Sequence, residues 1–150
     1  MNIKVMGYLR CAREVAPLMT AQGWGRIINI SGMASRNSGT VIGSMRNVAV
    51  SAMTKNLADE LGPHGINVTV VHPGMTRTEA TAGVIASRAE ATGTSESEIE
   101  MQMAQANSVR TLIDATDIAY VVTMLASPLA IAITGDSIAA GGGVGNAIHY

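Results

Sequence analysis

The chain has no phenylalanine, one tryptophan, three tyrosines and one cysteine, and only 14% of its 150 residues are charged. Cys11 alone cannot close an internal disulfide, so no cross-link framework is available to hold the fold. Ten basic against eleven acidic residues leave a formal charge of -1. That balance offers no excess of positive charge to attract nucleic acid or an anionic membrane surface. No secretory signal pattern opens the sequence, and no apolar run reaches membrane-spanning length. The expected setting is therefore reducing and cytoplasmic. His64, His72 and His149 lack the close spacing of zinc ligands, and Cys11 lies in a helical pattern with no evident base beside it. Neither a metal centre nor a cysteine nucleophile is expected.

What is present is apolar matter, 47% of the chain, enough for one globular domain over residues 1–150. With 10 methionines and many alanines, the core is expected to be filled by small or flexible side chains. Val5, Leu9, Ala12, Ala16 and Met19 follow spacings of 4, 3, 4 and 3, the stripe of a helix with one buried side. "GWGRIINIS" then reads as a strand covered on both faces. Residues 32–43, rich in Gly, Ser and Asn, read as a loop at the strand's C-terminal end, where open parallel sheets hold their ligands.

A second helix is predicted from about Met45 to Leu61, with Val48, Ala49, Ala52, Met53 and Leu57 on its packed side, followed by the strand "INVTVVHPG". Residues 79–108 read as a mobile helical excursion in which Ser95 and Glu98 form a capping box. Ile118, Val121, Val122 and Leu125 mark a helix over 117–126, and "TGDSIAAGGG" a last short strand with a glycine-rich tail. Strand–helix alternation of this kind predicts an α/β fold, a Rossmann-like doubly wound parallel sheet.

Four phrases in order, "QGWGRIINIS", "TKNLADELGPHGINVTVVHPG", "ATDIAYVVTMLAS" and "ITGDSIAAGGG", resemble the C-terminal part of the short-chain dehydrogenase/reductase family. The resemblance implies the family's strands 5 to 7 with their helices, an NAD(P)-dependent oxidoreductase acting on a carbonyl or alcohol, and dimers or tetramers built on the two helices 5–19 and 45–61. Members of the family use a Tyr acid/base, a Lys in YxxxK that lowers the Tyr pKa, a Ser that polarises the carbonyl, and a supporting Asn. By alignment the Tyr position falls on Gly43 and the Lys position on Asn47; no YxxxK occurs anywhere, since Tyr8, Tyr120 and Tyr150 lack the following Lys. The Ser falls on Ser31 or Gly32, and the Asn on Lys4, with Asn2 as rival.

The turn "HPGMTRTE" resembles the family's PGxxxT, which implies that Pro73, Gly74, Met75 and Thr78 meet the nicotinamide amide and pyrophosphate. A turn with a helix-capping Thr accounts for the same residues. The family's TGxxxGxG turn is not in this sequence, and with it the residue that selects NAD or NADP. Gly141, Gly142, Gly143 and Gly145 lead to no helix and read as a flexible or dimer-facing tail rather than a phosphate cradle. His72 is read as structural rather than as a replacement base, and Lys4 and Arg46, able in principle to pair with a phosphate, as solvated surface.

Two readings from different classes follow: an oxidoreductase whose nucleotide-binding part lies in sequence outside this chain, and a non-catalytic relative, a remnant or truncated reading that keeps the shape for association. A third places a small apolar ligand under residues 79–108. If the chain starts at Met1, strand 5 is expected to present a bare edge, so that either another chain covers it or the sequence is a remnant or truncated reading of a longer protein.

Overall fold

The computed structural model describes residues 2–146 and 148; His149 and Tyr150, weighed above as a metal ligand and as the start of a Tyr–Lys motif, lie outside them. A π-turn, Asn2–Met6, leads into α1, Gly7–Gln22. Strand β1, Gly25–Ile30, is followed by a short turn, Met33–Ser35, and by α2, Val41–Leu61. Strand β2, Ile66–Pro73, ends at the Pro-Gly turn, and β3, Thr76–Arg77, precedes α3, Thr81–Thr92, and α4, Glu96–Gln105. Strand β4, Ile113–Asp114, α5, Ala115–Ala126, and β5, Ser137–Ala140, complete the order. Among the described residues the main sheet is parallel with order β1-β2-β5, and β3 pairs with β4 in a separate parallel ribbon. No helix among the described residues is long and apolar enough to cross a membrane.

Strand β2 behaves as its sequence dictates. Its β-branched run is buried from Ile66 to His72, because β1 and β5 take its two edges and helices take its two faces. Side chains alternate along it. Ile66 and Val68 join Ala58 and Leu61 of α2 in one core, with Ala16 and Met19 of α1 packed against it. On the opposite face Asn67 donates to the carbonyls of Ala130, Ile131 and Ile133 just beyond α5. Helices on both faces of a parallel sheet make this the doubly wound arrangement. Burial of each such Ile or Val stabilises the sheet by about 1.5–3 kcal/mol.

Strand β1 departs from expectation. Only Gly25 and Asn29 are buried, and Ile30 is 36% exposed, because among the described residues β1 has one strand neighbour rather than two. Its N-terminal end is tied to the turn before β2: Gly65 has φ +79°, its carbonyl accepts from Gly25 N–H at 3.2 Å, and a Cβ there would meet the Gly23 carbonyl oxygen at 2.2 Å. Only glycine fits such a position.

The packed face of α2 also differs. It is Asn47, Val50, Thr54, Ala58 and Leu61 that are buried, whereas Val48 is 50% exposed and Ala52 lies in solvent. The buried polar members explain the shift: Thr54 accepts from Asn29 Nδ2 at 3.0 Å, and Asn47 is bonded within the site described below. Residues 81–105 form two helices, with the predicted Ser95–Glu98 capping box, around Ile85, Ala89, Ile99, Met103 and Leu112. These side chains form a small core of their own beneath the segment where the third reading places an apolar ligand.

Candidate active site

The C-terminal ends of β1 and β2 bring two polar clusters together beside the first half of α2. Ser31 continues β1 by donating its N–H to the Val71 carbonyl at 2.8 Å, so its side chain projects towards α2. Ser31 Oγ donates to Asn47 Oδ1 at 3.0 Å, and Lys4 Nζ donates to the same oxygen at 3.1 Å. Asn47 is buried; Lys4 and Ser31 are half-buried and reachable from solvent. Burial lowers the Lys4 pKa below its ordinary value, and repulsion from Arg46 adds to the effect.

Of the sequence alternatives, the geometry brings Lys4 rather than Asn2 to Asn47; the Asn2 amide instead accepts from Arg10 at 3.1 Å. Ser31 supplies the hydroxyl at Asn47, although a Cβ on Gly32 would also lie 3.7 Å from Asn47 Nδ2. Gly43, at the aligned Tyr position, donates its N–H to the Thr40 hydroxyl that caps α2. A Cβ there would meet that hydroxyl at 2.7 Å, so a side chain at 43 requires the cap to move.

The second cluster surrounds His72, which is fully buried. Its Nδ1 lies 3.0 Å from Ser35 Oγ and 3.1 Å from the Gly32 carbonyl oxygen, and its Nε2 lies 3.2 Å from Ser51 Oγ. Burial pushes its pKa below the ordinary value against the opposing pull of the Gly32 carbonyl, and Arg36 and Lys4 add repulsion. A neutral, enclosed imidazole of this kind braces the loop 32–35 against α2. Sequence reasoning missed Ser35, Ser51 and Arg36, the last donating to the Ser137 carbonyl at 2.6 Å. Only Ser51, four residues beyond Asn47 on the same helix, left a readable signal.

At the end of β2, Pro73 is half-buried and Gly74 N–H donates to the Ala140 carbonyl at 3.2 Å. A Cβ on Gly74 would sit 2.8 Å from Gly141 Cα, so the Pro-Gly turn and the glycine run touch backbone to backbone. The run is also pinned by Ser108 N–H donating to the Gly142 carbonyl at 2.8 Å, and is not the loose tail expected. Met75 is 46% exposed. Thr78 N–H donates to Thr81 Oγ1 at 2.8 Å; the position before α3 belongs to Ala80, so Thr78 is not that helix's cap. Among the described residues no group of three metal-ligating side chains occurs.

A doubly wound parallel sheet with polar groups gathered at the strand C-termini is the arrangement in which open α/β folds hold their ligands. The family profile described as Enoyl-(Acyl carrier protein) reductase matches residues 1–145. The chain is 31% identical over 144 residues to the short-chain reductase protein NovJ of Streptomyces niveus, covering 95% of this chain and 53% of NovJ. It is likewise 31% identical to the 7alpha-hydroxysteroid dehydrogenase of Escherichia coli K12, covering 95% of this chain and 52% of that enzyme. The crystal structure of YwfH, an NADPH-dependent reductase involved in bacilysin biosynthesis, superimposes with a TM-score of 0.86 at 29% identity, over 97% of this chain and 56% of YwfH. The chain belongs to the short-chain dehydrogenase/reductase family. It spans about half the length of the curated relatives it matches.

Proposed function

We propose that this chain forms the substrate-side half of an NAD(P)-dependent oxidoreductase that interconverts a carbonyl and an alcohol, with an altered proton-handling group. The observation that carries the reading is the bonded chain Lys4–Asn47–Ser31. By alignment the family has Asn where this chain has Lys4, and Lys where it has Asn47. Here the two residue types are exchanged between helices, yet their side chains meet, so a cation is retained beside the position of the substrate carbonyl.

The residues fit the nicotinamide end of a dinucleotide only. Met75 is open beside the Pro-Gly turn, whereas the family's TGxxxGxG phosphate turn is not in this sequence. When bound, the nicotinamide supplies or accepts the hydride at the carbonyl carbon. In the reduction, Ser31 Oγ–H turns from Asn47 Oδ1 to the carbonyl oxygen and polarises it, and the Lys4 ammonium stabilises the developing alkoxide and gives it a proton, which solvent then restores. A lysine whose pKa is drawn down by burial suits this exchange better than a free one.

Calorimetric titration with NADPH and NADH tests the reading. Saturable binding that Gly74→Ala, at the turn assigned to the nicotinamide, weakens supports it; a folded chain that binds neither overturns it. A second reading, a non-catalytic subunit, draws support from Gly43 at the Tyr position and from the exposed apolar stripe Val41, Met45 and Val48 on α2. The groove of about 760 Å³ between α1 and α2, lined by Leu9, Ala16 and Leu57 among others, suits homo-oligomer packing in either reading. Light scattering that finds only monomers, unchanged by Val48→Glu, overturns that assembly.

A further inference from the structure

Arg46 was expected to be solvated surface, and it is not. It is half-buried at the start of α2, and its Nε is enclosed without a hydrogen-bond partner. It shares a cavity of about 470 Å³ with Asn2, Ile3 and Lys4. Arg46 and Lys4 are close enough that the guanidinium depresses the ammonium. Among the described residues neither has a carboxylate within ion-pair distance; the four ion pairs present lie elsewhere. Two half-buried cations facing one cavity with no counter-charge among the described residues repel one another, and an anion bound between them would relieve that cost. The planar guanidinium and the ammonium together match an oxyanion.

We infer that this cavity binds a carboxylate or phosphate carried by the substrate. The inference rests on the oxidoreductase reading for its placement: Lys4 spends one N–H on Asn47 Oδ1, the oxygen that also accepts from Ser31, and keeps two for a ligand. An anion between Lys4 and Arg46 therefore lies beside the Ser31 hydroxyl. The substrate class is an acid or phosphate ester with its carbonyl a few bonds from the anionic group.

Inorganic phosphate, titrated into the full chain by calorimetry at low ionic strength, is the probe. Saturable binding is expected, weakened about tenfold or more by Arg46→Gln and by Lys4→Gln and largely kept by Arg46→Lys, since a charge-assisted contact is worth at least a factor of ten. Far-UV circular dichroism restricts the comparison to folded variants. Absence of phosphate binding, or equal binding by Arg46→Gln, overturns the site. NADPH titration of the same variants distinguishes the carrier. Unchanged NADPH affinity in Arg46→Gln supports a substrate anion, and a loss matching that for phosphate assigns the anion to the cofactor and overturns the substrate class. If the wild-type chain binds phosphate but no NADPH, the oxidoreductase reading fails while the anion site stands.

Discussion

Replacing His72 by Asn should change how the stability of this protein depends on pH more than it changes the fold. In the native state the imidazole is fully buried, and its pKa is lowered from 6.5 by desolvation, with Arg36 and Lys4 adding repulsion. The unfolded chain titrates at the ordinary value. Between the two pKa values the unfolded state binds the proton and the native state does not, so stability falls as pH drops through 6.5. The slope for one such group is up to about 1.4 kcal/mol per pH unit. At pH values well above 6.5 the contribution is flat. Urea unfolding in small pH steps, from about one unit above that value to about one unit below it, measures the slope. The difference between wild type and His72→Asn cancels the carboxylates common to both. The substituted amide has no titrating group, so the variant's curve should lack this slope. On the flat alkaline side the variant should lose about 1–3 kcal/mol, because the Ser35 and Ser51 hydroxyls lose a partner. Parallel curves for the two proteins would refute the account of a neutral, bracing imidazole.

The other predictions concern packing. Thr54→Val keeps shape but removes the acceptor of the buried Asn29 amide, 3.0 Å away, and should cost about 1–3 kcal/mol in urea unfolding. Gly74→Ala drives a methyl to 2.8 Å from Gly141 Cα; because both partners are backbone, the turn must shift, lowering stability by about 1–3 kcal/mol and weakening whatever nicotinamide binding the turn supports. Ser95→Ala removes one arm of the capping box of α4 and should cost about 0.5–2 kcal/mol, read as a lowered melting temperature.

Strand β2 was legible because seven successive residues face a closed environment, and its β-branched run can mean little else. The capping box of α4 was legible for a similar reason: Ser95 and Glu98 satisfy orphan backbone groups by local chemistry alone. Helix α2 ends at Leu61 as expected but begins at Val41 rather than about Met45, because the Thr40 hydroxyl caps it and draws residues 41–43 out of the expected loop; it is also rotated in its packing, since an apolar count ranks Val48 above Asn47 and Thr54. The winning face is the one whose polar groups find partners on β1 and just beyond it, and those partners lie 16 and 25 residues away in sequence. The same long range hid the His72 cluster, assembled from residues 32, 35, 51 and 72. The contact of Lys4 with Asn47 across 43 residues belongs to that group too: the exchanged residue types could be aligned, but only the fold brings them together.

The register of the sheet also sets the order in which the site can be built. Gly25 pairs with Ile66 across 41 positions, and Val70 with Ser137 across 67. Closing the longer loop costs only about 0.4 kcal/mol more, by the logarithmic dependence of closure entropy on length. The larger asymmetry lies in what each crossover carries: the first is mostly α2, a continuous helix that shortens the chain it spans, while the second holds the ribbon β3–β4 and three separate helices. The β1–α2–β2 unit is thus the early-forming kernel, and β5, with the glycine run that closes against Gly74, is the last piece to dock and the first to open. Hydrogen exchange should grade protection accordingly, slowest at Val68–Val71 and fastest at Ser137–Ala140. The Pro73–Gly74 turn would then borrow its shape from the least durable strand of the sheet.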